Sequence, residues 1–234
     1  MAQAIQDLVM VPGSLCDERV WLNQVKDLAG LANITIPHLH GYDSLVAMAE
    51  ASLAHAPERF ALCGFSMGGR VALEMFRIAP ERITRLALLD ASIHPVAEGE
   101  AERRQPQIEM AYREGMAAFA KWWNPKIVHP AKADDAEYMG LLASMAASFT
   151  PEEYEKEVRA LLNRPDPRDL LASIRVPTLV LAGAEDPLSG PERNRSIADA
   201  IAGAKLVQIE GSAHFPMLEK PDEVAAALKE WLAA

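Results

Sequence analysis

Cys63-Gly64-Phe65-Ser66-Met67-Gly68-Gly69 is the stretch that decides how this chain is read. The residues before it, Arg59-Phe60-Ala61-Leu62-Cys63, form an apolar run of β character. Those after it, Arg70 to Arg77, have helical composition. A Gly-x-Ser-x-Gly turn between a strand and a helix holds its serine on a sharp bend, with the hydroxyl exposed at the top of a sheet. Such a bend tolerates little bulk two residues to either side, which is why Gly64 and Gly68 matter. The pentapeptide alone is common. Strand, turn and helix in succession make it specific.

Working outward, short β-rich runs recur at Leu8–Val11, Ile34–Ile36, Phe60–Cys63, Leu86–Leu89, Thr178–Ala182 and Leu206–Ile209. Several are continuously apolar, as strands covered on both faces of a parallel sheet must be. Amphipathic stretches separate them: Val20–Leu31, Ser44–Ala54 and Met67–Ala79, the last stopped by Pro80. A closing helix is expected over Pro221–Leu232, with Asp222 and Glu223 suited to its positive N-terminal end. Alternating β and α predicts an α/β fold, a doubly wound and mostly parallel sheet of about six strands joined by right-handed crossovers.

From about Ile93 to Arg175 the alternation fails, and no strand is expected. Charged, helix-like patches run over Glu98–Met110, Tyr112–Trp123, Ala133–Ser148 and Pro151–Leu162. An insertion of this length suggests a helical lid. The division is then a core of residues 1–92 and 176–234 with a lid at 93–175.

Composition narrows the class. The chain has 234 residues, half of them apolar, enough to bury a full core. A formal charge of −10 argues against nucleic-acid or anionic-membrane partners, because there is no basic excess to displace counterions. No stretch reads as a signal peptide or a membrane span. Cys16 and Cys63 are too few for a disulfide framework, and no Cys/His cluster has zinc spacing. The expectation is a cytoplasmic protein with no metal and no cofactor.

A serine hydroxyl needs a base to take its proton, and the base needs a third group to fix its tautomer. Asp186 follows the Thr178–Ala182 strand and His214 follows Leu206–Ile209, so both fall at the carboxyl end of the sheet, as Ser66 does. With the order Ser, Asp, His, nearly the whole sequence resembles an α/β-hydrolase. That resemblance implies Ser66 as nucleophile, His214 as general base and then acid, and Asp186 as the orienting carboxylate. Asp90, ending the Leu86–Leu89 strand, is a competing acid, and Glu185 adjoins Asp186.

The resemblance also implies an oxyanion hole of two backbone N–H groups, those of Met67 and Ser14. In the loop Val11-Pro12-Gly13-Ser14-Leu15, Gly13 and the downstream Trp21 follow the family pattern, while Pro12 stands where a histidine is usual. In Pro37–Ser44 only Gly41 and Ser44 of the family's usual loop remain, and the N-terminal hairpin many members carry is not expected. Candidate substrate contacts are Leu15, Trp21, His94, Phe119, Trp122 and Trp123. At helical spacing the lid aromatics read equally well as the face docking on the body. The implied activity is hydrolysis of a small to medium uncharged ester or related acyl compound, carboxylesterase first. C–C hydrolase, lactonase, thioesterase, perhydrolase, lyase or a binding protein on the same scaffold are alternatives.

Overall fold

The computed structural model describes residues 5–234, and its centre is a sheet of six strands. They are β1 (Gln6–Val11), β2 (Ala32–Thr35), β3 (Phe60–Phe65), β4 (Ile83–Leu89), β5 (Thr178–Gly183) and β6 (Lys205–Ile209). Their order is β2-β1-β3-β4-β5-β6, and every neighbouring pair is parallel. All six expected strands are present, with β2 beginning at Ala32, two residues earlier than expected. β3 and β5 are buried at every position, which explains their unbroken apolar sequences.

The helices cover both faces. α11 (Pro221–Ala233) packs on one side of the sheet, with α1 (Leu22–Asp27) against it. α2 (Leu45–His55), α3 (Met67–Ile78) and α9 (Pro191–Ala200) pack with the other. The Ser44 hydroxyl caps α2 through the Ala47 N–H, and α3 gives way at Pro80 to a single 3₁₀ turn. The helix expected over Val20–Leu31 is shorter. A 3₁₀ turn at Glu18–Trp21 precedes α1, and the chain turns away by Gly30, whose φ of +84° leaves helical space.

Between β4 and β5 the chain inserts α4 (Glu100–Glu114), α5 (Met116–Trp123), α6 (Ala136–Ala146), α7 (Pro151–Leu162) and the short α8 (Arg168–Leu171). The helix expected over Tyr112–Trp123 is split at Gly115, whose φ is +83°. α7 opens on Thr150 and Glu153, each side chain bonding the other's backbone N–H, with Pro151 in the first turn. The insertion has its own apolar centre, including Met116, Phe119, Phe149 and Val158, and Leu15 from the loop after β1 packs into it. A second contact runs through Tyr138, Leu142 and Met145 into the α1/α11 side of the body. α10 (Pro216–Glu219) follows β6 directly.

Because the strands are parallel, the loops after β1, β3, β4, β5 and β6 share one edge. The chain leaves β1 outward to β2 and returns across it to β3. Ligands in such sheets bind in the crevice at that reversal, so the β1 loop and the β3–α3 turn carrying Ser66 flank the expected site. No helix among the described residues is long and apolar enough to cross a membrane.

Candidate active site

Ser66 follows β3 directly with φ +52° and ψ −116°, left-handed backbone that a residue with a side chain rarely adopts. Its N–H is anchored to the Leu89 carbonyl at 2.9 Å, and Gly69 N–H bonds back to the Ser66 carbonyl at 3.0 Å. The neighbouring glycines are required by space. A methyl on Gly64 would strike the Gly68 carbonyl, and one on Gly68 would strike the carbonyls of Val11 and Pro12. α3 thus starts pressed against the β1 loop, with the half-buried Ser66 between strand and helix.

The loops after β5 and β6 meet Ser66. His214 Nδ1 lies 3.0 Å from Asp186 Oδ2, and Nε2 lies 3.0 Å from Ser66 Oγ. With a carboxylate at Nδ1, that nitrogen carries the proton and donates it, leaving Nε2 to accept from the serine hydroxyl. Both His214 and Asp186 are buried. Burial works to raise the Asp186 carboxyl, but the charge and hydrogen bond of His214 and the Leu188 N–H together hold it below the usual carboxylate range.

The backbone around His214 is pinned from several sides. Glu185 accepts from Ser212 N–H at 3.0 Å, so it braces the loop and leaves His214 to Asp186. His214 N–H donates to the Ile127 carbonyl at 3.1 Å. Buried Glu219 of α10 accepts from the Ser212 hydroxyl (2.9 Å) and Ala213 N–H (2.6 Å) on one oxygen. Its other oxygen accepts from the Tyr138 hydroxyl (2.9 Å) and His129 N–H (2.8 Å). The insertion is therefore hydrogen-bonded to the loop that positions the histidine.

Asp90 lies between these elements, wholly buried, with φ +44°. One oxygen accepts from Gly183 N–H at 2.9 Å, and the other has no hydrogen-bond partner among the described residues. Burial first, and the nearby Asp186 charge second, push its carboxyl well above the usual carboxylate range. Asp90, Asp186 and His214 are the trio among the described residues close enough to share a metal ion, their ligand atoms lying within 4.8 Å. The imidazole nitrogens are, however, already turned to Asp186 and Ser66.

Met67 N–H, in the first turn of α3, and Ser14 N–H, beside Ser66, donate to no protein acceptor among the described residues. Ser14 is held otherwise: its hydroxyl donates to Glu157 of α7 at 2.5 Å, and Leu15 N–H donates to the same oxygen at 3.0 Å. Leu15, at φ +57°, turns the loop there. Burial raises the Glu157 carboxyl to about 7, against the lowering effect of these two bonds.

Ser66 and His214 open into a cavity of about 650 Å³ between sheet edge and insertion. Of the sequence-predicted contacts, Leu15, His94 and Trp123 line it. Trp21, Phe119 and Trp122 do not. Trp21 is fully buried in the body, edge-on to Phe65 at 6.3 Å between ring centres. Phe119 is fully buried inside the insertion against Tyr154, and Trp122 is exposed under Lys126. Sequence reasoning missed Arg70, which also lines the cavity. The signal was available, because Arg70 stands four residues after Ser66 and so one helical turn further along the same side of α3. Glu157 carried no comparable signal, its contact to Ser14 spanning 143 positions.

Residues 8–227 match the alpha/beta hydrolase family. Among curated relatives, a pimeloyl-[acyl-carrier protein] methyl ester esterase of Neisseria meningitidis serogroup B is 26% identical, over 91% of this chain and 83% of the relative. That of Photobacterium profundum is 27% identical, over 97% and 94%. Among solved structures, a thermophilic esterase from Thermogutta terrifontis, malate bound, superposes with a TM-score of 0.88 at 27% identity, covering 100% of this chain and 91% of the other. The enol-lactonase from Burkholderia xenovorans LB400 has the same TM-score at 22% identity, over 99% and 92%, a likeness of fold.

Proposed function

The chain belongs to the alpha/beta hydrolase family, and we propose that it is a serine ester hydrolase whose triad is Ser66, His214 and Asp186. One observation carries the reading: a serine on a left-handed turn, in line with His214 and Asp186 through two contacts of 3.0 Å, at the floor of a cavity. The names of the relatives support ester chemistry.

In this reading His214 Nε2 takes the hydroxyl proton as Ser66 Oγ attacks the ester carbonyl carbon. The carbonyl oxygen becomes an oxyanion, stabilised by the N–H groups of Met67 and Ser14, each worth roughly 2.7–4 kcal/mol in comparable sites. The imidazolium is stabilised by Asp186 and returns its proton to the leaving alkoxide as the C–O bond breaks. Water, activated by the same histidine, then attacks the acyl-enzyme and frees Ser66. Residues 93–175 act as the lid, forming the cavity roof and holding the histidine loop through Glu219, Ile127 and Tyr138.

The test is the initial rate on p-nitrophenyl esters of increasing acyl length, for the wild type and Ser66→Ala. Turnover that peaks at one chain length and falls on the order of 10⁴-fold or more in the variant is the expected result. Ester turnover that survives Ser66→Ala overturns it.

A further inference from the structure

In a chain of net charge −10, the cavity above Ser66 is lined by five arginines, Arg70, Arg103, Arg104, Arg164 and Arg193, and by one carboxylate, Glu100. Glu100 is already engaged. Its oxygens accept from Arg164 at 2.6 and 2.8 Å and from Arg104 at 3.0 and 3.1 Å. Arg103 and Arg193 are exposed at the rim and donate to the carbonyls of Glu98 and Leu188.

Arg70 differs from all of them. It is 7% exposed, and its Nη2 donates to the His94 carbonyl at 2.8 Å and to the Ser92 hydroxyl at 3.4 Å. Its other guanidinium nitrogens donate to no protein group among the described residues, and no carboxylate forms an ion pair with it. Burial works against its charge, Arg164 adds to that, and only Glu100 opposes, so its pKa falls to about 9 and the group remains charged at neutral pH. A buried cation without an ion-pair partner of its own is costly, and such a charge is stable where something else supplies the anion. His94, on the same wall, feels the same field: partial burial and then Arg193 and Arg70 lower its pKa.

We propose that Arg70, with Arg193 and Arg103 at the rim, is an anion subsite, and that the natural substrate is an ester carrying a compact oxyanion, a carboxylate or phosphate, besides the ester carbonyl. The placement fits, since Arg70 follows Ser66 by one turn of α3 and shares its cavity. The guanidinium fork matches either group bidentately. The inference rests on the ester-hydrolase reading and replaces the sequence-based expectation of an uncharged substrate.

The experiment compares mono-p-nitrophenyl adipate and suberate with p-nitrophenyl hexanoate and octanoate, which differ only in the terminal carboxylate. Calorimetry on Ser66→Ala runs beside it, with adipate, its dimethyl ester and inorganic phosphate as probes. The wild type is expected to prefer the charged ester by about tenfold or more in kcat/KM, mostly through KM and less so at high salt. Arg70→Gln should remove most of that preference and weaken adipate binding by a similar factor. Should Arg70→Gln fail to fold, Arg193→Gln, an exposed change, should still lower the preference several-fold. Tighter binding of phosphate than of adipate identifies the anion as a phosphate. Equal handling of charged and neutral esters, with equal binding of adipate and its dimethyl ester, overturns the subsite while the hydrolase stands. Adipate binding that depends on Arg70, with no turnover of any ester, keeps the subsite and sinks the ester reading.

Discussion

Glu157 accepts the Ser14 hydroxyl at 2.5 Å across 143 positions of sequence, tying the inserted helix α7 to the loop that follows β1. Its carboxyl is raised from 4.5 to about 7, burial being the largest cause. Between those values the folded chain binds a proton the unfolded chain has released. The stabilisation is therefore fully present below pH 4.5 and is lost as pH rises through about 7. The wild type is expected to lose up to about 3 kcal/mol of unfolding free energy across that window relative to Glu157→Gln, which keeps the shape and cannot ionise. Denaturant melts of both proteins at a series of pH values check this. Parallel curves would remove Glu157 as the titrating group.

Asp186 and Asp90 follow neighbouring strands, and their opposite pKa shifts give them opposite roles. Asp186 is shifted toward its ionised form beside His214, while Asp90 is shifted toward its neutral form and holds the Gly183 N–H. Asp186→Asn should cost on the order of 10³–10⁴ in kcat, because the amide would favour the wrong imidazole tautomer. Asp90→Asn keeps an acceptor oxygen for the Gly183 N–H and should stay within about tenfold of wild type. The reverse ranking would make Asp90 the orienting acid.

The frame was legible because it is written locally. Six apolar runs, Pro80 after α3 and the glycines around Ser66 each state their structure within a few residues. Asp186 and His214 were found because strand ends in a parallel sheet share an edge. What stayed hidden depends on packing between distant segments. Trp21 and Phe119 are aromatic residues at plausible positions, but sequence does not tell which side of a helix or loop faces the cavity and which faces the core. Glu157 and Glu219 are ordinary helical acids until the fold buries them against Ser14 and Ala213.

Glu219 gathers four donors, two from the histidine loop and two from the insertion. A glutamine there keeps one acceptor oxygen and turns an amide NH₂ toward two donors. At about 1–3 kcal/mol for each buried donor left unpaired, Glu219→Gln should destabilise the protein by about 2–6 kcal/mol. It should also lower kcat more than it raises KM, because Ala213, which Glu219 holds, precedes His214. Melts and steady-state kinetics on the same preparation check both, and a stable variant with normal kcat would show that the loop holds His214 without this carboxylate.

Gly68 and Gly140 make a matched pair of opposite sign. An alanine methyl at Gly68 would enter the carbonyls of Val11 and Pro12, which are backbone atoms at the end of a central strand and cannot swing aside. Relief would require α3 to move off the β1 loop, displacing Ser66 and the Met67 N–H with it. Gly68→Ala should therefore cost about 3 kcal/mol or more and abolish ester turnover. Gly140 sits exposed within α6 with nothing within 4 Å of a would-be methyl and no positive φ. There alanine should stabilise by about 0.5–1 kcal/mol and leave turnover unchanged, since only the backbone entropy of the unfolded chain is reduced. Thermal melts and p-nitrophenyl ester rates on both variants decide it. A Gly68→Ala protein with wild-type rates would mean that the turn carrying Ser66 has room the close approach of α3 to β1 denies.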